Sequence, residues 1–171
     1  MAPKVVLIGP MGAGKTSVGK NLAEKLGIDF ADTDRLIEID QGKSVSEIFI
    51  EDGEAHFRLV EESIVIDALN EQDGVLSLGG GAITSIPVQE KLGTSGAIKA
   101  FLDISLTAVA PRVGFDSARP LLMVNPRQKW LELMNARRES YEKLADIQID
   151  VSDLSVEDVA SRIILEARLN K

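Results

Sequence analysis

Residues 5–16 read Val-Val-Leu-Ile-Gly-Pro-Met-Gly-Ala-Gly-Lys-Thr, and the reading of this stretch decides the fold. Val5 to Ile8 form a continuous apolar run, as expected of a parallel-sheet strand buried on both faces. Gly9 to Thr16 then match the phosphate-cradling pattern of Gly, four residues, Gly-Lys and Thr or Ser. Behind them Val18, Leu22 and Leu26 fall on one stripe of a helix over 15–26, and Gly27 stands where a left-handed C-terminal cap is expected. Strand, glycine loop and helix in that order is the context the motif requires. Gly12 and Gly14 let successive backbone N–H groups converge on phosphate oxygens, and the helix N-terminus adds partial positive charge. Lys15 reaches the β and γ phosphates, and Thr16 offers a hydroxyl to Mg²⁺. A turn that merely joined strand to helix would have no use for Lys-Thr at this register. Gly12, Ala13, Gly14, Lys15, Thr16 and Ser17 are therefore the expected nucleotide contacts.

Outward from the loop the alternation continues. A second strand is expected at 29–33, then a long helical region broken at Gly42, restarted by a capping box of Ser44 and Glu47, and broken again at Gly53. Over 54–69, Phe57, Val60, Ile64 and Ala68 keep helical spacing before Asp73-Gly74 turns the chain into a strand over 75–78, which ends at Gly79-Gly80-Gly81. Pro87 suits the first turn of a short helix and 97–102 reads as a strand. A helix over 105–112 contains Pro111, which should end or kink it. Gly114 to Asn125 reads as a mobile loop. Asn125 and Pro126 are expected as N-cap and first-turn residue of a helix running to Leu144, with Trp130, Met134, Arg137 and Tyr141 near one stripe. A strand over 147–151 precedes a terminal helix capped by Ser155. Five strands with helical crossovers give an α/β fold, a three-layer α/β/α P-loop domain around a five-stranded parallel sheet. Ligands in such sheets bind beyond the carboxyl ends of the strands, where the glycine clusters of this sequence fall.

Composition narrows the chemistry. With 171 residues, 44% of them apolar, the chain supplies one well-filled core and is read as a single domain over 1–171. The absence of cysteine removes thiol nucleophiles, thiolate zinc sites and redox pairs. A net charge of −8 argues against nucleic-acid or anionic-membrane partners. No run approaches the ~20 apolar residues of a membrane span. The opening residues carry too short an apolar stretch for a signal peptide, so a soluble cytoplasmic protein is expected.

Other residues point to an acceptor. Asp32-Thr33-Asp34 closes the second strand, where alternation would turn both carboxylates to one side. Asp32 could hold a metal through water while Asp34 reaches an acceptor hydroxyl; the plainer reading of Asp34 is a helix N-cap. Between 105 and 138 stand Arg112, Arg119, Arg127, Lys129, Arg137 and Arg138 against Asp116 and Glu132, a basic contrast in an acidic chain. Arg127, Lys129 and Arg138 read as a solvated helix face. Arg119, in Ala118-Arg119-Pro120-Leu121-Leu122, lies where a lid would be. His56 has no partner motif and reads as structural, and Trp130 and Tyr141 read as packing. For Arg58, a solvated charge and a carboxylate clamp both fit.

Taken together, the loop at 9–16, Asp32-Thr33-Asp34, Phe57-Arg58 with Glu61, Ser77-Leu78-Gly79-Gly80-Gly81 and Arg119-Pro120-Leu121-Leu122 resemble the shikimate kinases over nearly the whole chain. The resemblance implies MgATP-dependent phosphorylation of the 3-hydroxyl of shikimate, on the way to chorismate and the aromatic amino acids. It implies that Asp34 orients or deprotonates the attacking hydroxyl. It also implies that Arg58 and Arg137 grip the acid, that Glu61 holds Arg58, that Gly79 to Gly81 let the ring approach, and that Phe49 and Phe57 floor the pocket. Thr16 and Asp32 would serve the metal, Arg119 the transferring phosphate, and Arg112 the adenine. Residues 33–61 become the acceptor-binding region, about 112–124 the lid, and the enzyme is expected to be a monomer. Val151 to Leu154 and Pro111 depart from the family pattern on the adenine side. Two other readings remain open. One is a kinase for another hydroxy acid such as gluconate, against which Arg58, Arg137 and the glycine run tell. The other is a nucleotide-binding regulatory domain, which would have no need of Asp34 or Arg119.

Overall fold

The apolar run at the start of the chain forms strand β1 (Val5–Ile8), whose four side chains are at most 1% exposed. In the computed structural model, which describes residues 3–113 and 125–169, β1 is the middle strand of a five-stranded sheet ordered β2-β3-β1-β4-β5. The other strands are β2 (Phe30–Asp32), β3 (Val75–Ser77), β4 (Ile98–Asp103) and β5 (Ile147–Asp150). All four pairings are parallel; Val5 pairs with Val75 on one side and with Ile98 on the other. Strand order therefore reverses at β1, which opens a crevice at the carboxyl ends of β1, β3 and β4.

The helices are α1 (Lys15–Leu26), α2 (Thr33–Gln41), α3 (Val45–Glu51), α4 (Glu54–Glu71), α5 (Ile86–Thr94), α6 (Leu106–Val113), α7 (Pro126–Leu144) and α8 (Val156–Glu166). Several local signals act as expected. Gly27 caps α1 in the left-handed conformation, and both Ser44 with Glu47 and Ser155 with Asp158 close reciprocal capping boxes. Aliphatic side chains of the sheet and its flanking helices form the main core. A second cluster, Ile37, Ile48 and Phe57, unites α2, α3 and α4 beside it.

Three expectations need correction. β2 ends at Asp32 and α2 begins at Thr33, so Asp34 belongs to a helical first turn and not to a strand end. Pro111 lies inside α6, which continues to Val113. Asn125 starts α7 with left-handed torsions and no side-chain cap; its carbonyl accepts from Lys129 N–H instead. A 3₁₀ turn at Ala82–Thr84 follows the glycine run. Among the described residues no helix is long and apolar enough to cross a membrane.

Candidate active site

At the crevice the loop after β1 wraps around its own lysine. Lys15 is only 8% exposed, and its Nζ donates to the carbonyls of Gly9 (2.8 Å) and Pro10 (2.9 Å). Gly12 and Gly14 hold φ of 85° and 90°, the region that suits glycine. A Cβ on Gly12 would also lie 2.5 Å from the Val109 side chain, so α6 packs against the loop only because that position is bare. Ala13 is buried, while Thr16 and Ser17 open onto a cleft of about 490 Å³. Trp130 of α7 braces the loop from outside by donating its indole N–H to the Met11 carbonyl at 3.0 Å. It is more than the packing residue its stripe suggests.

Asp32 performs two tasks with one carboxylate. Its Oδ1 accepts from Asp34 N–H at 3.0 Å, which makes it the N-cap of α2, and its Oδ2 accepts from the Thr16 hydroxyl at 2.6 Å. The N-cap is thus Asp32, not Asp34. Asp34, one position into the helix, lines the cleft with Lys15 and Thr16. Burial, followed by the charges of Asp32 and Glu61, pushes its carboxyl from 3.8 up to about 7, with Lys15 pulling weakly the other way.

Beyond Asp34 stands a wall of glycines. A Cβ on Gly79 would fall 2.7 Å from Asp34 Oδ1 and 2.9 Å from Glu61 Oε2, and one on Gly81 would fall 2.4 Å from Arg58 Nη1. Arg58 donates to Glu61 Oε1 at 2.6 Å, and its guanidinium lies 5.2 Å from the Phe57 ring centre and 6.0 Å from that of Phe49. The two rings pack with centroids 4.5 Å apart. Glu61 is 3% exposed, and burial raises its carboxyl above the usual range against the opposing pull of Arg58. Arg137, 7% exposed on α7, approaches the same wall, 3.7 Å from where a Gly80 Cβ would stand. Two guanidiniums, an elevated carboxyl and a wall without side chains, all opening beside a phosphate cradle, suit a small hydroxylated acid next to a nucleotide.

A profile of the shikimate kinase family matches residues 11–168. The chain belongs to the shikimate kinase family. A shikimate kinase of Streptomyces coelicolor is 45% identical over 158 residues, covering 92% of this chain and 91% of that protein. One from Mycobacterium avium is 46% identical over 153 residues, covering 89% and 86%. A solved structure of shikimate kinase from Acinetobacter baumannii in complex with shikimate superposes with a TM-score of 0.91 at 37% identity, covering 99% of this chain and 96% of that one.

Within this kinase, the expected site residues Lys15, Thr16, Asp32, Asp34, Gly79 and Gly80 line the cleft, Glu61, Arg137 and Arg58 stand against the glycine wall at Gly79, Gly80 and Gly81, and Phe49 and Phe57 lie beside Arg58. Arg112, exposed on α6, also lines the cleft, as does Val156. Arg119 lies outside the described residues, as do residues 114–124 of the segment, about 112–124, expected as a lid. Arg138 is not a free surface charge: it grips Asp103 with two nitrogens, at 2.9 and 3.1 Å. His56 is exposed on α4, its Nε2 3.3 Å from the Gln41 side-chain oxygen. Two residues escaped the sequence reading. Thr33, fully buried, accepts from Gly79 N–H at 3.0 Å, and the Tyr141 hydroxyl donates to the Gly80 carbonyl. No local pattern signals either bond, since each joins residues at least 46 positions apart.

If Arg58 clamps the acceptor's carboxylate, Arg58→Ala should raise KM for shikimate by about tenfold or more while KM for ATP stays within twofold, since a charge-assisted clamp would be lost on the acceptor side alone. Steady-state kinetics in both substrates checks this, and a normal shikimate KM refutes the clamp. The same change should lower the melting temperature, because Glu61 then remains buried without its cation.

Proposed function

We propose that this enzyme, a cytoplasmic monomer, transfers the γ-phosphoryl group of MgATP to the 3-hydroxyl of shikimate, with residues 33–61 forming the acceptor region and 112–124 the lid. The loop N–H groups and Lys15 hold the phosphates in line with the acceptor. Arg58 and Arg137 take the shikimate carboxylate, and the glycine wall admits the ring. Phe49 and Phe57 set the apolar floor under Arg58. Asp34 accepts the hydroxyl proton as the oxygen bonds to the γ-phosphorus and the bond to the β-γ bridging oxygen breaks. Arg119 of the lid meets the charge on the transferring group, and Arg112 lies along the adenine.

Mg²⁺, when bound, neutralises charge shared between the β and γ phosphates. The Thr16 hydroxyl and Asp32 carboxylate fit it: both are hard oxygen donors, side by side at the cleft floor, and Mg²⁺ takes few protein ligands beside phosphate and water.

One observation carries the reading. Asp34 lines the same cleft as Lys15 and Thr16, and the glycine wall brings it alongside Glu61, whose other oxygen holds Arg58. Phosphoryl transfer asks mainly for positioning and charge neutralisation, and both substrates' anionic ends are provided for in one cleft. A coupled ATP-consumption assay with shikimate, quinate, gluconate or water as acceptor tests it. Shikimate should support steady ADP release far above the others. Comparable turnover with gluconate would assign a different acid, and no acceptor-dependent release at all would leave only a nucleotide-binding domain.

A further inference from the structure

Three consecutive peptide groups of the glycine wall are each held by one hydrogen bond, and two of the three holders are buried hydroxyls. The Leu78–Gly79 peptide is held at its N–H, which donates to Thr33 Oγ1 at 3.0 Å. The Gly79–Gly80 peptide is held at its carbonyl, which accepts from Ala82 N–H at 3.1 Å. The Gly80–Gly81 peptide is also held at its carbonyl, by the Tyr141 hydroxyl. Among the described residues no group accepts from the N–H of Gly80 or of Gly81.

In a planar trans peptide the C=O and N–H point in opposite directions. Fixing the Gly79 carbonyl therefore aims the Gly80 N–H, and fixing the Gly80 carbonyl aims the Gly81 N–H away from Tyr141. Glycine peptides are otherwise the least restrained in the chain, so a donor pair built on them needs outside holders. Both hydroxyl holders are rigid. Thr33 is fully buried in the first turn of α2. Tyr141 is fully buried and stacks on Phe101 with centroids 5.0 Å apart. The phenol also stays protonated, since burial pushes it up to about 12.

We propose that Thr33 and Tyr141 are positioning residues: Thr33 anchors the first peptide of the glycine wall and Tyr141 the third, and with the Ala82 bond between them they present the Gly80 and Gly81 N–H groups as ready donors to the acceptor and the transferring phosphoryl group. This rests on the function proposed above. Thr33 acts through the backbone it holds, and Tyr141 through the Gly80 carbonyl and through the Arg137 side chain, which its hydroxyl also meets. Preorganised donors act without reorganising during the reaction, so releasing them should cost catalysis more than stability alone would suggest.

The test is steady-state kinetics of Tyr141→Phe, Thr33→Val and Thr33→Ser, with melting curves for each. Tyr141→Phe keeps the ring and its stacking, and Thr33→Val keeps the shape; each should lower kcat/KM for shikimate by about tenfold or more with KM for ATP within twofold. Thr33→Ser, which restores the hydroxyl, should return to within about twofold of the parent. If Tyr141→Phe and Thr33→Val melt lower but keep parental kcat/KM for shikimate, the hydroxyls are structural and the proposal is overturned. An equal rise in KM for both substrates, or failure of Thr33→Ser to rescue, overturns it as well. Should the parent itself not phosphorylate shikimate, it is the proposed function that fails, and that outcome is read before any variant is compared.

Discussion

At pH 8 the Asp34→Asn variant should phosphorylate shikimate about 10²–10⁴-fold more slowly than the parent, the usual span for loss of a general base, and yet melt at a higher temperature. The two effects have one cause. The Asp34 carboxyl is raised from 3.8 to about 7, first by burial and then by its acidic neighbours. Between those values the folded chain binds a proton that the unfolded chain has released. This group's contribution to stability is therefore full below pH 3.8, falls as pH rises, and is gone above about 7. Near pH 8 the fold carries a desolvated anion beside Asp32 and Glu61, a cost of at most a few kcal/mol, which a neutral amide removes. The Tm gain should shrink as the pH is lowered and vanish below pH 4, where the parent carboxyl is neutral too. In kinetics the sign is reversed. A general base works as a carboxylate, so if Asp34 is that base kcat should rise with pH through the carboxyl's titration in the parent and lose that limb in the variant. A variant that keeps parental kcat, or shows no pH-dependent difference in melting, removes Asp34 from the acceptor side.

Lys15→Ala is the other large loss, about 10³-fold or more in kcat, the scale of removing a principal charge donor from a phosphoryl-transfer site. The ammonium binds two carbonyls of its own loop, Gly9 and Pro10, as well as facing the cleft. Truncation therefore strips the site of a cation, removes the side-chain donor from the Gly9 carbonyl and leaves the Pro10 carbonyl only its bond from Ala13 N–H, so the loop should also bind ATP less well. Lys15→Arg should not rescue, because a planar fork cannot reproduce a point charge seated between two carbonyls. Single-turnover kinetics at saturating ATP separates the chemical loss from the binding loss; a normal chemical step would take the cradle out of the mechanism.

Much of this architecture is written locally. The strand at 5–8, the cap at Gly27, the restart at Ser44 and the glycine run at 79–81 each depend on neighbours within a few residues, so pattern and propensity suffice for them. Asp34 illustrates where that stops. Its place beside the cradle was legible, but its route there was not, because Asp32 turned the chain into a helix two residues earlier than the strand pattern suggested. Asn125 shows the same limit: a good capping residue is of no use as one when its backbone is left-handed. Thr33, Tyr141 and the Asp103–Arg138 pair were illegible for another reason. Their partners come from other layers of the fold, and nothing in a local window distinguishes a phenol that packs from one that also grips a carbonyl.

The chain holds a single tryptophan, and its indole N–H is spent on the Met11 carbonyl of the phosphate cradle. Indole emission responds to that hydrogen bond and to nearby charge, so the protein carries an intrinsic fluorophore at its nucleotide loop. Arrival of ATP should therefore change the emission of the unlabelled enzyme, with no competing indole signal to subtract.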